Sequence, residues 1–455
     1  MFTRKVFFHE TSQIVKLGTP VVIGQLAQMS MAFVDTVVAG QSGAVDMAGV
    51  AVGGSFWTPM MCFSAGLFGC ITPLVAQEMG SGQHDTVARL WRQGLWLALM
   101  VAVMQMLGLF GIASGIPHYD AIGSDLAAVT SSYVGYILWG LPGFLLFLVC
   151  RSFIEGKGHT RPAMFAGLVG LICNIPLNCI FVFGYGGMPR LGGAGCGLAS
   201  AIVCWIMAAI MLYNVHKLSP QTMAFVRPNF NVIKRLVRIG APNGTALLLE
   251  ASAFVLIALF VAPLGEIVVA GHQAAYATSA LTFTFPLSLG IATSIRVGSY
   301  LGQKDYEGAK NVRKTCLLLA FMAGCFFFTC IYVFRESMAH VYSHDAEVIS
   351  IATLVMLYMA LYQIPDNIQI ISLGVLRGYN DTRYIFVSST IAYWCISLPL
   401  GYILCFTDYI VPKMGVVGFW CGLIVGLTTA GVMLLSRIAY LERRSHADIA
   451  ARITR

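Results

Sequence analysis

Charge is what this sequence has least of. Asp, Glu, Lys and Arg make up 11% of its 455 residues and hydrophobic residues 58%, against roughly 25% charged in an ordinary soluble domain, which excludes a soluble globular protein. Nine stretches carry no Asp, Glu, Lys or Arg at all: 47–77, 93–119, 126–150, 162–189, 191–216, 267–295, 315–334, 384–407 and 414–436. Each is long enough to cross a bilayer as a helix. Three further apolar stretches, near 17–40, 239–264 and 348–376, are each interrupted by a single acid. Twelve spans occupy most of the chain and leave too little of it for a separate soluble domain.

Other absences narrow the chemistry. The 13 cysteines lie within or beside apolar stretches and form no CxxC pair or Cys/His cluster of zinc spacing, so they read as small buried hydrophobes. There is no GxSxG, no HExxH and no P-loop, so neither a motif-bearing enzyme nor an ATP-driven pump is expected, and no cofactor is implied. His9-Glu10 opens a zinc-protease pattern whose second histidine is missing at position 13. The amino-terminal stretch does not read as a signal peptide, because no small-residue cleavage site ends a short apolar run; the first span is expected to stay as an anchor.

The cationic excess reports orientation. With the amino terminus placed inside, 25 of the 28 Lys and Arg fall on inner ends and loops, leaving Arg190, Arg335 and Lys413 outside. By the positive-inside rule both termini are cytoplasmic, and the net charge of +8 implies no nucleic-acid partner.

The chain also repeats itself. Residues 15–20 read VKLGTP and residues 237–242 read VRIGAP, 222 residues apart. Gly156, Thr160 and Arg161 correspond to Gly378, Thr382 and Arg383 at the same offset, and Pro142 and Pro176 to Pro365 and Pro399 at 223. Each copy holds six spans, and an even number returns the second copy in the orientation of the first. The expectation is an all-α polytopic protein of two parallel six-helix lobes, residues 1–220 and 221–455, with substrate near the midplane.

Within this apolar frame Asp35, Glu250 and Asp366 stand alone. No Lys or Arg lies at comparable depth in the sequence, and a buried carboxylate without a partner takes up a proton or a cation. Their repeat counterparts are Ile257, Gln28 and Gly143, so the shared scaffold does not need an acid at these places. Glu250 lies 12 residues beyond Arg238 and Asp366 lies 11 before Arg377, roughly 18 and 16 Å from the inner surface at 1.5 Å per residue. The two share one depth in one lobe and are candidates to hold one ion. Asp35, 19 residues past Lys16, sits higher, at roughly 28 Å. Oxygen ligands suit a hard ion such as Na⁺, which competes with a proton for the same atoms, and Tyr362, one helical turn from Asp366, is a further ligand candidate. Pro20 and Pro365 are placed to bend their helices, the latter directly beside Asp366. Phe283, Phe285 and Pro286 are placed to line a pocket for flat hydrophobic cations.

Three segments carry a family resemblance. Pro20, Gln25-Leu26-Ala27-Gln28 and Phe33-Val34-Asp35-Thr36-Val37-Val38-Ala39-Gly40 resemble the first helix of the NorM branch of the multidrug and toxic compound extrusion (MATE) family. Asn174-Ile175-Pro176-Leu177-Asn178 and Leu376-Arg377-Gly378-Tyr379 resemble its fifth helix and the segment after its tenth. The resemblance runs nearly end to end. It implies two lobes arranged as a V in a bacterial inner membrane, and export of hydrophobic organic cations such as dyes and fluoroquinolones in exchange for entering Na⁺ or H⁺. It also implies that Glu250, Asp366 and Tyr362 form a cation site in the second lobe and that Asp35 binds proton or substrate in the first. Beyond the lipid bilayer and these small cations no partner is expected, and the protein should act as a monomer. A flippase for anionic lipid-linked precursors would need intramembrane Lys or Arg, which the spans lack. An intramembrane aspartyl protease lacks any supporting motif. A fixed channel fits duplicated, proline-kinked lobes less well than alternating access does.

Overall fold

The computed structural model describes residues 3–118, 123–220 and 226–444. Among these residues every regular element is helical, and twelve helices are long and apolar enough to cross a membrane. They are α1 (Arg4–Ser42), α2 (Ala44–Gly80), α3 (His84–His118), α4 (Ser124–Gly156), α5 (Arg161–Phe183), α6 (Ala194–Leu218), α7 (Phe230–Leu264), α8 (Glu266–Gly302), α9 (Tyr306–Tyr342), α10 (Ala346–Gly378), α11 (Thr382–Phe406) and α12 (Val417–Glu442). All twelve spans expected from the sequence are present. In a membrane a helix satisfies its own backbone hydrogen bonds, which is why a chain this apolar folds into helices.

The contacts gather into two compact units. One is Thr19–Gly240; the other joins Ala241 onward to the first eighteen residues of the chain. In the first unit α6 packs against α5 and both halves of α4. Gly197 of α6 meets the backbone carbonyl of Tyr133, a place where a Cβ would not fit. In the second unit α10 is the central helix, with α8, α9 and α12 packed on it. Gly374 of α10 lies so close to the Gly290 carbonyl of α8 that a Cβ there would not fit. Small residues at helix crossings do in lipid what interdigitating apolar side chains do in water.

Three spans depart from regular α geometry. A turn at Cys70 interrupts α2, a 3-10 turn covers Leu138–Gly140 in α4, and residues Thr390–Ser397 of α11 form a π-helix. Pro20 lies inside α1 and Pro365 inside α10, with helix continuing on both sides of each. Helix ends are tied by charge. Glu10 accepts from Nε and Nη2 of Arg296 (2.8–3.1 Å) and from the Tyr300 hydroxyl (2.7 Å), fastening the amino-terminal turns to α8. Arg437 pairs with Asp381 at 2.8 Å.

The second unit contains two apolar cores. One includes Val355, Met356, Met359, Ala360 and Tyr362 of α10, and the other includes Ile370 to Leu376 of the same helix. Between them along α10 lies a buried polar belt: Gln363, Asp366, Asn367 and Gln369.

Candidate functional site

The belt is the first place to look for chemistry, because buried polar groups in a membrane protein are expensive unless partnered. Asp366 is 1% exposed. Its Oδ1 accepts a hydrogen bond from the Tyr362 hydroxyl at 3.1 Å, one helical turn away. Its Oδ2 has no partner, and neither do Gln363 Oε1, Asn367 Oδ1 and Gln369 Nε2. Glu250, on α7, is also buried and lies close enough for its charge to act on Asp366 and on Tyr362. The structure therefore brings Glu250, Asp366 and Tyr362 together.

A fourth member was not apparent from the sequence. Tyr393 is fully buried in the π-helical stretch of α11. Its hydroxyl is a hydrogen-bond partner of Glu250 and lies 3.4 Å from Gln369 Oε1. One hydroxyl proton thus serves two acceptors. The wide π turn is accommodated on α12 by Gly426 and Gly422, where a Cβ would collide with Ser397 and Ala392 or with Ser397 and Gly401. A single π turn within an α-helix re-aims the side chains that follow it, and such turns concentrate at functional sites.

Two further features were hidden in the sequence. Arg377, expected to mark the inner membrane boundary, donates its Nε to Asn243 Oδ1 at 2.9 Å and feels the charge of Glu250. The cationic surroundings of Glu250 thus differ from those of Asp366. Tyr362 is also held from behind. Trp420 of α12 meets its ring edge-on at 5.8 Å between centroids and donates its indole N–H to His272 Nδ1 at 3.3 Å.

Asp35 belongs to the other unit and has a different setting. Its Oδ1 accepts from Asn174 at 3.0 Å and Asn178 at 2.7 Å, and its Oδ2 from Ser200 at 2.7 Å. The two asparagines are four residues apart, on one face of α5, and their own Oδ1 atoms have no partner. Among the described residues, no ion pair involves Asp35, Glu250 or Asp366. No group of three or more His, Cys, Asp or Glu is placed to hold a metal among them either. Any ion here would be bound by few carboxylates and several neutral oxygens, the ligand chemistry of a hard monovalent cation or a proton. Phe283 packs on one apolar core, and Phe285 meets Phe327 edge-on at 5.5 Å.

The sequence model of the MatE family matches this chain twice, over residues 20–180 and 242–403. The chain belongs to the MatE family. The two matches begin 222 residues apart, the offset of the internal repeat. Over 455 residues the chain is 44% identical to the multidrug resistance protein MdtK of Pectobacterium atrosepticum, covering 99% of each. It is likewise 44% identical, over 454 residues and 99% of each chain, to MdtK of Klebsiella pneumoniae strain 342. Among solved structures, the eukaryotic MATE transporter AtDTX14 superposes with a TM-score of 0.87 over 98% of this chain and 99% of that one. At 19% identity this likeness establishes the fold. This MatE protein is a multi-pass membrane protein, and its buried acids stand on a duplicated transporter scaffold.

Proposed function

We propose that this MatE-family chain is a secondary multidrug antiporter of the bacterial inner membrane, with both termini cytoplasmic. It exports hydrophobic organic cations in exchange for Na⁺ or H⁺ entering the cell. The observation that carries the reading is a surplus of acceptors in the belt of the second unit. Glu250, Asp366, Gln369 Oε1, Asn367 Oδ1 and Gln363 Oε1 face two tyrosine hydroxyls and one unpartnered amide donor, Gln369 Nε2. A buried site with more acceptors than protons is completed by a proton or a cation, and either one lowers the cost of keeping two acids out of water. The full-length likeness to proteins named for multidrug resistance supports the same reading.

In this mechanism the coupling ion enters the belt between Glu250 and Asp366, with Tyr362 and Tyr393 turning their hydroxyl oxygens toward it. Asp35 takes proton or substrate in the first unit, where the free amide oxygens of Asn174 and Asn178 face a positive charge as well as the carboxylate does. Exchanging one Na⁺ inward for one monovalent cation outward moves no net charge, so the ion gradient alone drives it. The test is ethidium efflux from energy-depleted cells, triggered in turn by imposed Na⁺ and pH gradients, with Glu250→Gln beside the wild type. Efflux on one pulse that falls to the vector-control level in the variant is expected. Equal efflux by the variant sinks the assignment of Glu250 as the coupling acid.

A further inference from the structure

Beyond the acids, the described residues contain a cleft of about 510 Å³ lined by Arg89, Gln93, Val226, Arg227, Asn229 and Phe230, among others. The cleft lies entirely within the first unit, where the first turns of α3 meet the strand of chain leading into α7. It is built around Gln93, which is fully buried. The side-chain amide of Gln93 donates to the Arg227 carbonyl at 3.2 Å and accepts from the Asn229 N–H at 2.7 Å, as a neighbouring backbone would. Trp96, at the next turn, donates its indole N–H to the Val226 carbonyl at 2.9 Å. Asn229 in turn caps α7, accepting from the N–H groups of Asn231 and Val232 at 3.1 and 3.4 Å. The segment is thus fixed in place by interactions of its backbone, and the side chains of Val226, Arg227 and Phe230 are left facing outward.

That arrangement has a distinct composition. Arg89 stands one helical turn from Gln93, so its guanidinium opens toward the same cleft as that of Arg227. Both arginines are exposed, and neither guanidinium is used in an ion pair within the described residues. The lining contains no acid. Beside the two guanidinium groups lies exposed apolar surface: Phe230 is 67% exposed and Val226 37%. Lys217, Lys234, Arg235 and Arg238 follow on the neighbouring helix ends, on the basic side of the molecule. A phosphate ion would use the arginines alone. A phospholipid uses both halves of the cleft, with its phosphate on the planar guanidinium donors and its glycerol and upper acyl carbons against Phe230 and Val226.

We propose that this cleft is a binding site for the headgroup of an anionic phospholipid, with Arg89 and Arg227 as its phosphate ligands and Phe230 as its acyl-side wall. The site is separate from the buried acids and does not rest on the antiport reading.

The test is native mass spectrometry of the full chain, purified in detergent and titrated with phosphatidylglycerol or with phosphatidylethanolamine of the same chains. Wild type and an Arg89→Gln/Arg227→Gln double variant would be compared, with Phe230→Ser as a second variant. The wild type is expected to retain phosphatidylglycerol in preference to phosphatidylethanolamine. The double variant should bind phosphatidylglycerol about twenty-five-fold more weakly, taking each arginine at an anionic headgroup as roughly a fivefold effect. Phe230→Ser should weaken both lipids while keeping the preference between them. Because neither guanidinium ties the fold together, the double variant should melt with the wild type. Unchanged phosphatidylglycerol retention in the double variant overturns the proposal. Displacement of the lipid by millimolar inorganic phosphate overturns it too, since the cleft would then be a phosphate site indifferent to lipid.

Discussion

The acid of the first unit and the acids of the second are all buried, yet their partners differ. Asp35 sits in a ring of donors, with two asparagine amides and a serine hydroxyl satisfying both of its oxygens. Asp366 has one donor and one oxygen left over, and it shares its surroundings with a second carboxylate. The repeat shows how each was built. Where the first copy has Asp35, the second has Ile257, wholly buried in an apolar core. Where the second has Asp366, the first has Gly143, pressed against the Trp205 ring. The same helical frame therefore carries one carboxylate with donors on both oxygens and another with an oxygen left unpartnered. The first carboxylate is held in one direction by its donors; the second is held by Tyr362 alone.

The contrast makes its largest prediction in stability. Asp35→Leu should cost about 3 kcal/mol, because three donors lose a common acceptor in a dry setting. Asp366→Leu should stay within about 1 kcal/mol of the wild type, because it removes an imperfectly partnered acid. Thermal denaturation of the two purified variants compares them directly, and equal losses would mean that the two sites are not different in kind. A smaller effect is expected from Gly426→Ala. Its methyl group enters the space of Ser397 and Ala392 and should cost about 2 kcal/mol while pushing the π turn away from Glu250. The matching readout is ion-induced thermal stabilisation, which should shrink in this variant. The smallest is Tyr393→Phe. Loss of one hydroxyl at the second site should weaken the coupling ion about fivefold, as judged by the ion concentration that half-saturates efflux. No change there would remove Tyr393 from the ion site and leave it as packing.

The two sites were legible to different degrees. Twelve spans could be read directly because a charge in the hydrocarbon is so costly that charge-free runs mark the helices. The same cost made Asp35, Glu250 and Asp366 conspicuous. Tyr362 followed from its one-turn spacing to Asp366. Asn174 and Asn178 also carried a signal, two amides one turn apart on an otherwise apolar span, but their spacing does not name the acid they face, 139 and 143 residues away. Tyr393, Gln369, Trp420 and His272 gave none, because uncharged polar and aromatic side chains are ordinary in membrane helices. Arg377 misled for a physical reason. Its long side chain carries charge well away from its own Cα, so a depth counted along the backbone misses its influence on Glu250.

The π turn of α11 also records how the second site came to differ from the first. In α5, fifteen residues separate Arg161 from Pro176; in α11, sixteen separate the corresponding Arg383 from Pro399. The extra residue falls across the stretch where hydrogen bonding widens from i+4 to i+5, which is how a helix absorbs one additional residue without breaking. Taken up in this way, the extra residue widens the helix locally at the stretch that carries Tyr393. A one-residue difference in spacing between the two copies is thus carried in the hydrogen-bonding pattern of the very turns that hold Tyr393.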